Sequence, residues 1–279
     1  MATFRAIVLA GERPGGGVLA RELGLAAGVL APLAGQPCIV RVVACLRAAR
    51  WVTGGTLCGP DPAVTATSAE LQALLAGGDF HWLAPSSGPA ASALAASRAE
   101  ATTPLLLTSG DHGLLDAAMV DGFCSDAWRA GAASGADLLV GLVPHQRVAA
   151  AFPDSKRTVL RFSDGAFCGS NLFALLTPQS QHALTFWSAL EAYRKQPWKI
   201  ARQLGATTVL RYLSRRLSVD EAFRVLSRHA GCRVGWIPVN AARAAVDVDS
   251  RADWLLADRL LREDAAASPA AAIEPSHTP

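Results

Sequence analysis

The chain has 279 residues, 51% of them hydrophobic and 18% charged, with a formal net charge of +3. That is too little charge for a disordered chain and enough apolar material for one substantial core or two small ones. The near-neutral balance gives no global reason to expect a nucleic-acid partner.

Phe4–Leu9 is an apolar run that stops at Ala10-Gly11, too short for a secretion signal, and it reads as a buried first strand entering a glycine-rich loop with Gly15, Gly16 and Gly17. The longest uncharged run, 23–40, is broken by Gly24, Gly28, Pro32, Gly35 and Pro37, which argues against a membrane span. The six cysteines (Cys38, Cys45, Cys58, Cys124, Cys168, Cys232) form no CxxC pair and no Cys/His cluster. Reduced, mostly buried thiols in a soluble cytoplasmic protein are the plain expectation.

Residues 39–49 carry apolar side chains at helical spacing, and 51–57 reads as a second strand closed by Gly59-Pro60-Asp61-Pro62. A helix is predicted over 68–75 with Ser68 as its cap, then a short strand over 80–83. Ser86-Ser87-Gly88-Pro89 is a loop, and 90–99 an alanine-rich helix. Pro104-Leu-Leu-Leu-Thr108 is the plainest interior strand, ending at Ser109-Gly110-Asp111. A helix over 119–131 and a buried strand over 136–143 follow. This alternation predicts a three-layer α/β/α fold with a mostly parallel sheet, which binds ligands at the carboxyl ends of its strands. The loops after Leu9 and Thr108 both belong there.

Beyond this nucleotide-binding half, about 4–143, the pattern changes. Residues 158–162 and 167–176 read as strands around the turn Ser163-Asp164-Gly165. Residues 182–229 are helical and locally basic, a strand is predicted over 233–238, and a last helix over 252–263. The Ala/Pro/Ser tail, 264–279, is expected to be disordered, leaving one domain over 1–263.

Three separated pieces carry the chemistry: Leu9-Ala10-Gly11 with its glycine loop, Ser109-Gly110-Asp111-His112, and Asp247-Val248-Asp249-Ser250-Arg251-Ala252-Asp253. Small residues in the loop let backbone N–H groups approach an anionic phosphate, although an ordinary turn would look the same. Asp111 ends an apolar strand, where an unpaired carboxylate is costly unless it meets water, a cation or donors. Capping of a helix ahead of Leu114 is the alternative for Asp111, and capping of the helix near Arg251 the alternative for Asp249.

With Pro32-Leu33-Ala34-Gly35-Gln36-Pro37 and Gly88-Pro89-Ala90-Ala91-Ser92, these pieces resemble the MobA-like nucleotidyltransferases, the group that includes molybdenum-cofactor guanylyltransferases and methylerythritol-phosphate cytidylyltransferases. The resemblance implies a Mg2+-dependent enzyme that moves a nucleoside monophosphate from an NTP, CTP or GTP, to a phosphorylated acceptor with release of pyrophosphate. It implies Asp111 and Asp249 as metal ligands, with Asp247 as the alternative should the register differ. It implies Arg13 as the loop cation and Leu9, Ala10, Gly11, Gly15, Gly16, Gly17, Gly88, Pro89 and Ser92 at the nucleotide. Ala31 stands where the group carries a lysine. Lys156 and Arg157 are the candidates to replace its charge at the acceptor, with solvated surface charge as the alternative.

Cys168-Gly169-Ser170-Asn171-Leu172-Phe173 resembles the acceptor-lining step of that group, giving Gly169 and Asn171, with a bulged strand as an equal reading. Tyr193-Arg194-Lys195-Gln196-Pro197-Trp198-Lys199 would cover an anionic acceptor, rest on a membrane surface, or form a solvated helix face. His112, beside Asp111, is a candidate for the site, and His81 a structural residue. Two rivals stay open: a sugar-nucleotide-dependent glycosyltransferase using Asp247-Val-Asp249 as a D-x-D metal motif, and a catalytically weak nucleotide-binding regulator. The resemblance allows a homodimer, of which the residues give no sign.

Overall fold

The computed structural model describes residues 3–12, 17–100, 102–193, 196, 199 and 203–267. Its centre is an eight-stranded mixed sheet. Chain order begins with β1 (Phe4–Leu9), α1 (Val18–Leu23), the two-residue strands β2 (Pro32–Leu33) and β3 (Gln36–Pro37), α2 (Cys38–Ala48) and β4 (Val52–Cys58). It continues with α3 (Pro62–Thr67), α4 (Ala69–Ala76), β5 (Phe80–Leu83), α5 (Pro89–Glu100), β6 (Leu105–Ser109), α6 (Ala117–Ser134) and β7 (Leu138–Pro144). The second half holds α7 (His145–Ala151), β8 (Leu160–Arg161), β9 (Ala166–Leu175), α8 (Ser180–Ala192), α9 (Ala206–Leu213), α10 (Val219–Ala230), β10 (Val234–Pro238) and α11 (Arg251–Ala267).

Strand order across the sheet is β10-β7-β9-β6-β1-β4-β5, with β8 paired to β9. β1 runs parallel to β4 and β6, β5 to β4, and β10 to β7; β9 is antiparallel to both its neighbours in the path. The period of two along each strand feeds two cores. On β1, Phe4, Ala6 and Val8 join the core under α2, α4 and α6, whereas Ile7 joins the one under α5 and α8. On β6, Leu106 faces the first core and Leu105 and Leu107 the second. The expected three-layer architecture is therefore present, and its mixed character comes from β9 inserted between β6 and β7.

Local chemistry explains most boundaries. The Ser68 hydroxyl caps α4, accepting from Leu71 N–H at 3.4 Å, and the Asp116 carboxylate caps α6, accepting from Met119 N–H at 2.8 Å. Asp111 is thus not the cap ahead of Leu114. The turn 163–165 closes as expected, Phe162 N–H donating to Gly165 O at 2.8 Å, but β8 keeps only two residues of the predicted strand. α1 was not foreseen: six residues form it directly after the glycine stretch. α11 continues to Ala267, into the stretch expected to be disordered, because Ala265–267 are strong helix formers. No described helix is long and apolar enough to cross a membrane.

Candidate functional site

Loops from β1, β4, β5 and β6 meet at the carboxyl ends of those parallel strands. Ala10 N–H donates to Cys58 O at 2.8 Å and Gly110 N–H to Leu9 O at 2.7 Å, locking the end of β1 between its neighbours. Gly59, at φ +93°, lies where an added Cβ would stand 2.7 Å from Gly11 N, so only glycine lets these turns touch. Leu9, Ala10 and Gly11 thus stand at the carboxyl end of β1. Arg13, Gly15 and Gly16 lie outside the described residues. Gly17 directly precedes α1 as its N-cap, and its N–H and that of Gly28 both donate to the Glu12 carboxylate. The loop therefore presents converging donors to an anion, and the anion that occupies them is the chain's own Glu12.

The segment expected at the nucleotide base opens α5. Gly88 and Pro89 sit at that turn, and Ala90 N–H donates to the Glu191 carboxylate of α8 at 3.1 Å. Ser92 is buried and its hydroxyl accepts from Ser86 N–H at 2.9 Å, so it shapes the loop from beneath.

Asp111 follows β6. Its Oδ1 is buried without a hydrogen-bond partner among the described residues. Burial raises its pKa to about 7; the charges of Asp249 and Asp247 add to the rise and the nearby Ser109 hydroxyl opposes it. Val248 N–H donates to Asp111 O at 3.0 Å, which brings the segment with Asp249 against the end of β6 from across the chain. An orphaned buried carboxylate oxygen within reach of further negative charge fits a divalent cation. Two carboxylates, with phosphate oxygens and water, complete a Mg2+ site. Among the described residues no group of three or more His, Cys, Asp or Glu could hold a metal by itself. His112 is fully buried, and burial lowers its pKa to about 4, so it is a neutral core residue at physiological pH.

Asp249 is exposed and does not cap α11. Ser250 does so: its Oγ accepts from Asp253 N–H at 3.3 Å while Ser250 N–H donates to Asp253 Oδ2 at 3.1 Å, the reciprocal pair of a capping box. Arg157 completes this corner. Its side chain is only 7% exposed, reaches Asp247 Oδ1 at 2.6 Å and O at 3.2 Å, and pairs also with Asp253. It therefore grips both flanks of Asp249.

A cavity of about 480 Å³ opens beside this corner, lined among others by Lys156, Arg157, Gly169, Asn171, Asp247 and Asp249. The residues expected at the acceptor are thus gathered with Asp249, although Arg157 is already engaged by carboxylates and Lys156 alone of the two is exposed. β9 bulges here: Val140 pairs with Phe173 and Leu142 with Gly169, leaving 170–172 opposite Gly141. The Ser170 hydroxyl donates to Gly141 O at 2.8 Å, and Asn171 takes φ +51°, a left-handed conformation asparagine tolerates. The bulge and the place of Gly169 and Asn171 in the cavity lining are one feature, since bulges re-aim side chains. A Cβ added at Gly169 would meet nothing within 4 Å. Of the stretch 193–199, only Tyr193, Gln196 and Lys199 are described; Lys199 Nζ lies 4.9 Å from the Tyr193 ring centroid. Ala31 is fully buried, so no cation stands at that position. All six cysteines are free, and burial raises every thiol pKa, Cys45 to about 12.

No protein-family model matches the chain, and no curated protein matches it in sequence. Solved structures do. A hypothetical transferase from Thermus thermophilus is 27% identical with a TM-score of 0.74, over 90% of this chain and 99% of that one. A CMP:2-keto-3-deoxy-manno-octonic acid synthetase complexed with CTP is 14% identical with a TM-score of 0.58, over 94% and 99%. The 4-diphosphocytidyl-2C-methyl-D-erythritol synthase of Anaerococcus prevotii is 8% identical with a TM-score of 0.55, also over 94% and 99%. The chain has a three-layer α/β/α fold with a mixed sheet that resembles the nucleotidyltransferase folds.

Proposed function

We propose that this protein transfers a nucleoside monophosphate from an NTP, CTP or GTP, to a phosphorylated acceptor held in the cavity beside Asp249, releasing pyrophosphate. The observation that supports it best is the meeting of Asp111, with its orphaned buried oxygen, and Asp249 at the carboxyl ends of the strands. Asp111 and Asp249 would hold Mg2+, which when bound supplies positive charge to the phosphates. Phosphate oxygens would displace Glu12 from the loop N–H groups, and Arg157 keeps the Asp249 segment in place. Lys156 attracts the acceptor phosphate, and the bulge at Asn171 orients it for in-line attack at the α-phosphorus. Asp247 is tied to Arg157 and is a poor second ligand of a D-x-D pair, which weighs against the glycosyltransferase reading. The test is pyrophosphate release from each NTP with Mg2+ over a panel of sugar, polyol and pterin phosphates. Intact NTP consumption in both Asp111→Asn and Asp249→Asn would end this reading.

A second reading, nucleotide binding without turnover, is favoured by the buried Ala31, whereas Glu12 holds the loop donors that a phosphate would need. Removing that competing charge is informative either way. Glu12→Gln will tighten Mg-NTP binding about fivefold, for roughly 1 kcal/mol of relieved repulsion near the surface, in a direct titration; unchanged or weaker affinity would mean that phosphate does not enter this loop. Gly169→Val fills open space in the cavity. It will raise the acceptor KM at least about tenfold while shifting Tm by under about 2 °C. An unchanged KM would place the acceptor elsewhere.

A further inference from the structure

α9 turns two leucines into solvent, Leu210 at 67% and Leu213 at 72% exposure. They stand three residues apart, on one side of the helix. Tyr212 anchors the other side, its ring edge-on to Phe162 at 5.7 Å, in the hairpin whose Leu160 lines the acceptor cavity. Other exposed large apolar residues, Val18, Trp128 and Leu255, lie on separate elements.

The stretch of sequence that carries this pair is basic. Residues 182–230 contain nine lysines and arginines against three acidic residues, whereas the whole chain is only +3. Arg211 is neutralised by Glu221, at 2.7 and 2.8 Å, but Arg215 and Arg216, directly after the helix, are exposed and form no ion pair among the described residues.

We propose that α9, with Arg215 and Arg216, docks the protein on an anionic lipid surface. Two leucines offer far too little area for a stable protein interface, which buries on the order of 1,000 Å² or more. They suit a shallow apolar contact with acyl chains, with adjacent cations drawn to anionic headgroups. The proposal is independent of nucleotidyl transfer.

The test is co-sedimentation of the full chain with vesicles of phosphatidylcholine alone and with phosphatidylglycerol added, at low and high salt. The protein will bind the anionic vesicles at low salt and release at high salt. Arg215→Gln/Arg216→Gln will bind about 25-fold more weakly, at about fivefold per arginine, and Leu210→Ser/Leu213→Ser at least about tenfold more weakly. Both double variants change exposed residues and should melt as the parent does, and Asp111→Asn should bind vesicles as the parent does. No binding to anionic vesicles, equal binding to neutral ones, or binding unaltered in both double variants would overturn the proposal. A lipid-free dimer lost in the leucine variant would overturn it too, assigning the face to a second copy.

Discussion

Asp111→Asn will lower Mg2+-dependent pyrophosphate release by at least about 10³-fold, the scale of losing a principal charge-stabilising group, and will raise the melting temperature of the metal-free protein. Both effects come from one carboxyl. In the unfolded chain it ionises near 4; in the fold it keeps its proton to about 7, because burial and the charges of Asp249 and Asp247 disfavour the anion. The stability this group contributes is greatest at low pH and is lost as pH rises from about 4 to about 7. At pH 8 the metal-free protein carries the full cost, and the neutral amide removes it. A rise in Tm of about 2–4 °C corresponds to roughly 1 kcal/mol in a domain of this size. The parent's metal-free Tm should fall across that pH window and the variant's should fall less. A variant that melts lower than the parent at pH 8 would show that Asp111 is a structural carboxylate.

Arg157→Ala carries the second large effect. It leaves the Asp247 and Asp253 carboxylates without their shared partner and loosens both flanks of Asp249. Loss of a buried partner costs about 3–5 kcal/mol; Asp247 is 33% exposed, so about 2–3 kcal/mol, or roughly 5–10 °C in Tm, is expected here. A structural defect alone would stop at stability. As a positioning residue, Arg157 also controls Asp249, so the Mg2+ concentration needed for half-maximal activity will rise in Arg157→Ala. Asp253→Asn in the same chain will recover part of the stability by removing an uncompensated charge. Arg157→Lys will not rescue, because one ammonium cannot span two carboxylates as a guanidinium does. An unchanged Mg2+ dependence would reduce Arg157 to a fold-stabilising ion pair.

What the sequence revealed follows from how local each cause is. Phe4–Leu9 and Phe80–Leu83 match their predicted bounds because short, mainly apolar runs, each broken by a single basic residue (Arg5, His81) and bounded by glycine or a polar loop, have one reading. Asp111 stood out because a carboxylate at the end of an apolar strand demands an explanation. α1 was hidden because its six residues follow three glycines that read as loop. The Ser250–Asp253 capping box was legible in its spacing, yet Asp249, one residue earlier, drew the reading. The role of Arg157 was not legible: its partners lie 90 and 96 residues away, a proximity that only the folded sheet creates. Glu12 illustrates the same limit, since its second partner, Gly28, is 16 residues distant.

Thermal unfolding with ATP, GTP, CTP and UTP, each with and without Mg2+, in the parent and in Asp111→Asn, tests the central claim most directly. Ligand at a hundredfold excess over its dissociation constant adds about 2.7 kcal/mol of stability. Tm will rise in a Mg2+-dependent manner with CTP or GTP in the parent and will not rise in the variant. No rise with any NTP, or one that persists in Asp111→Asn, would contradict that claim.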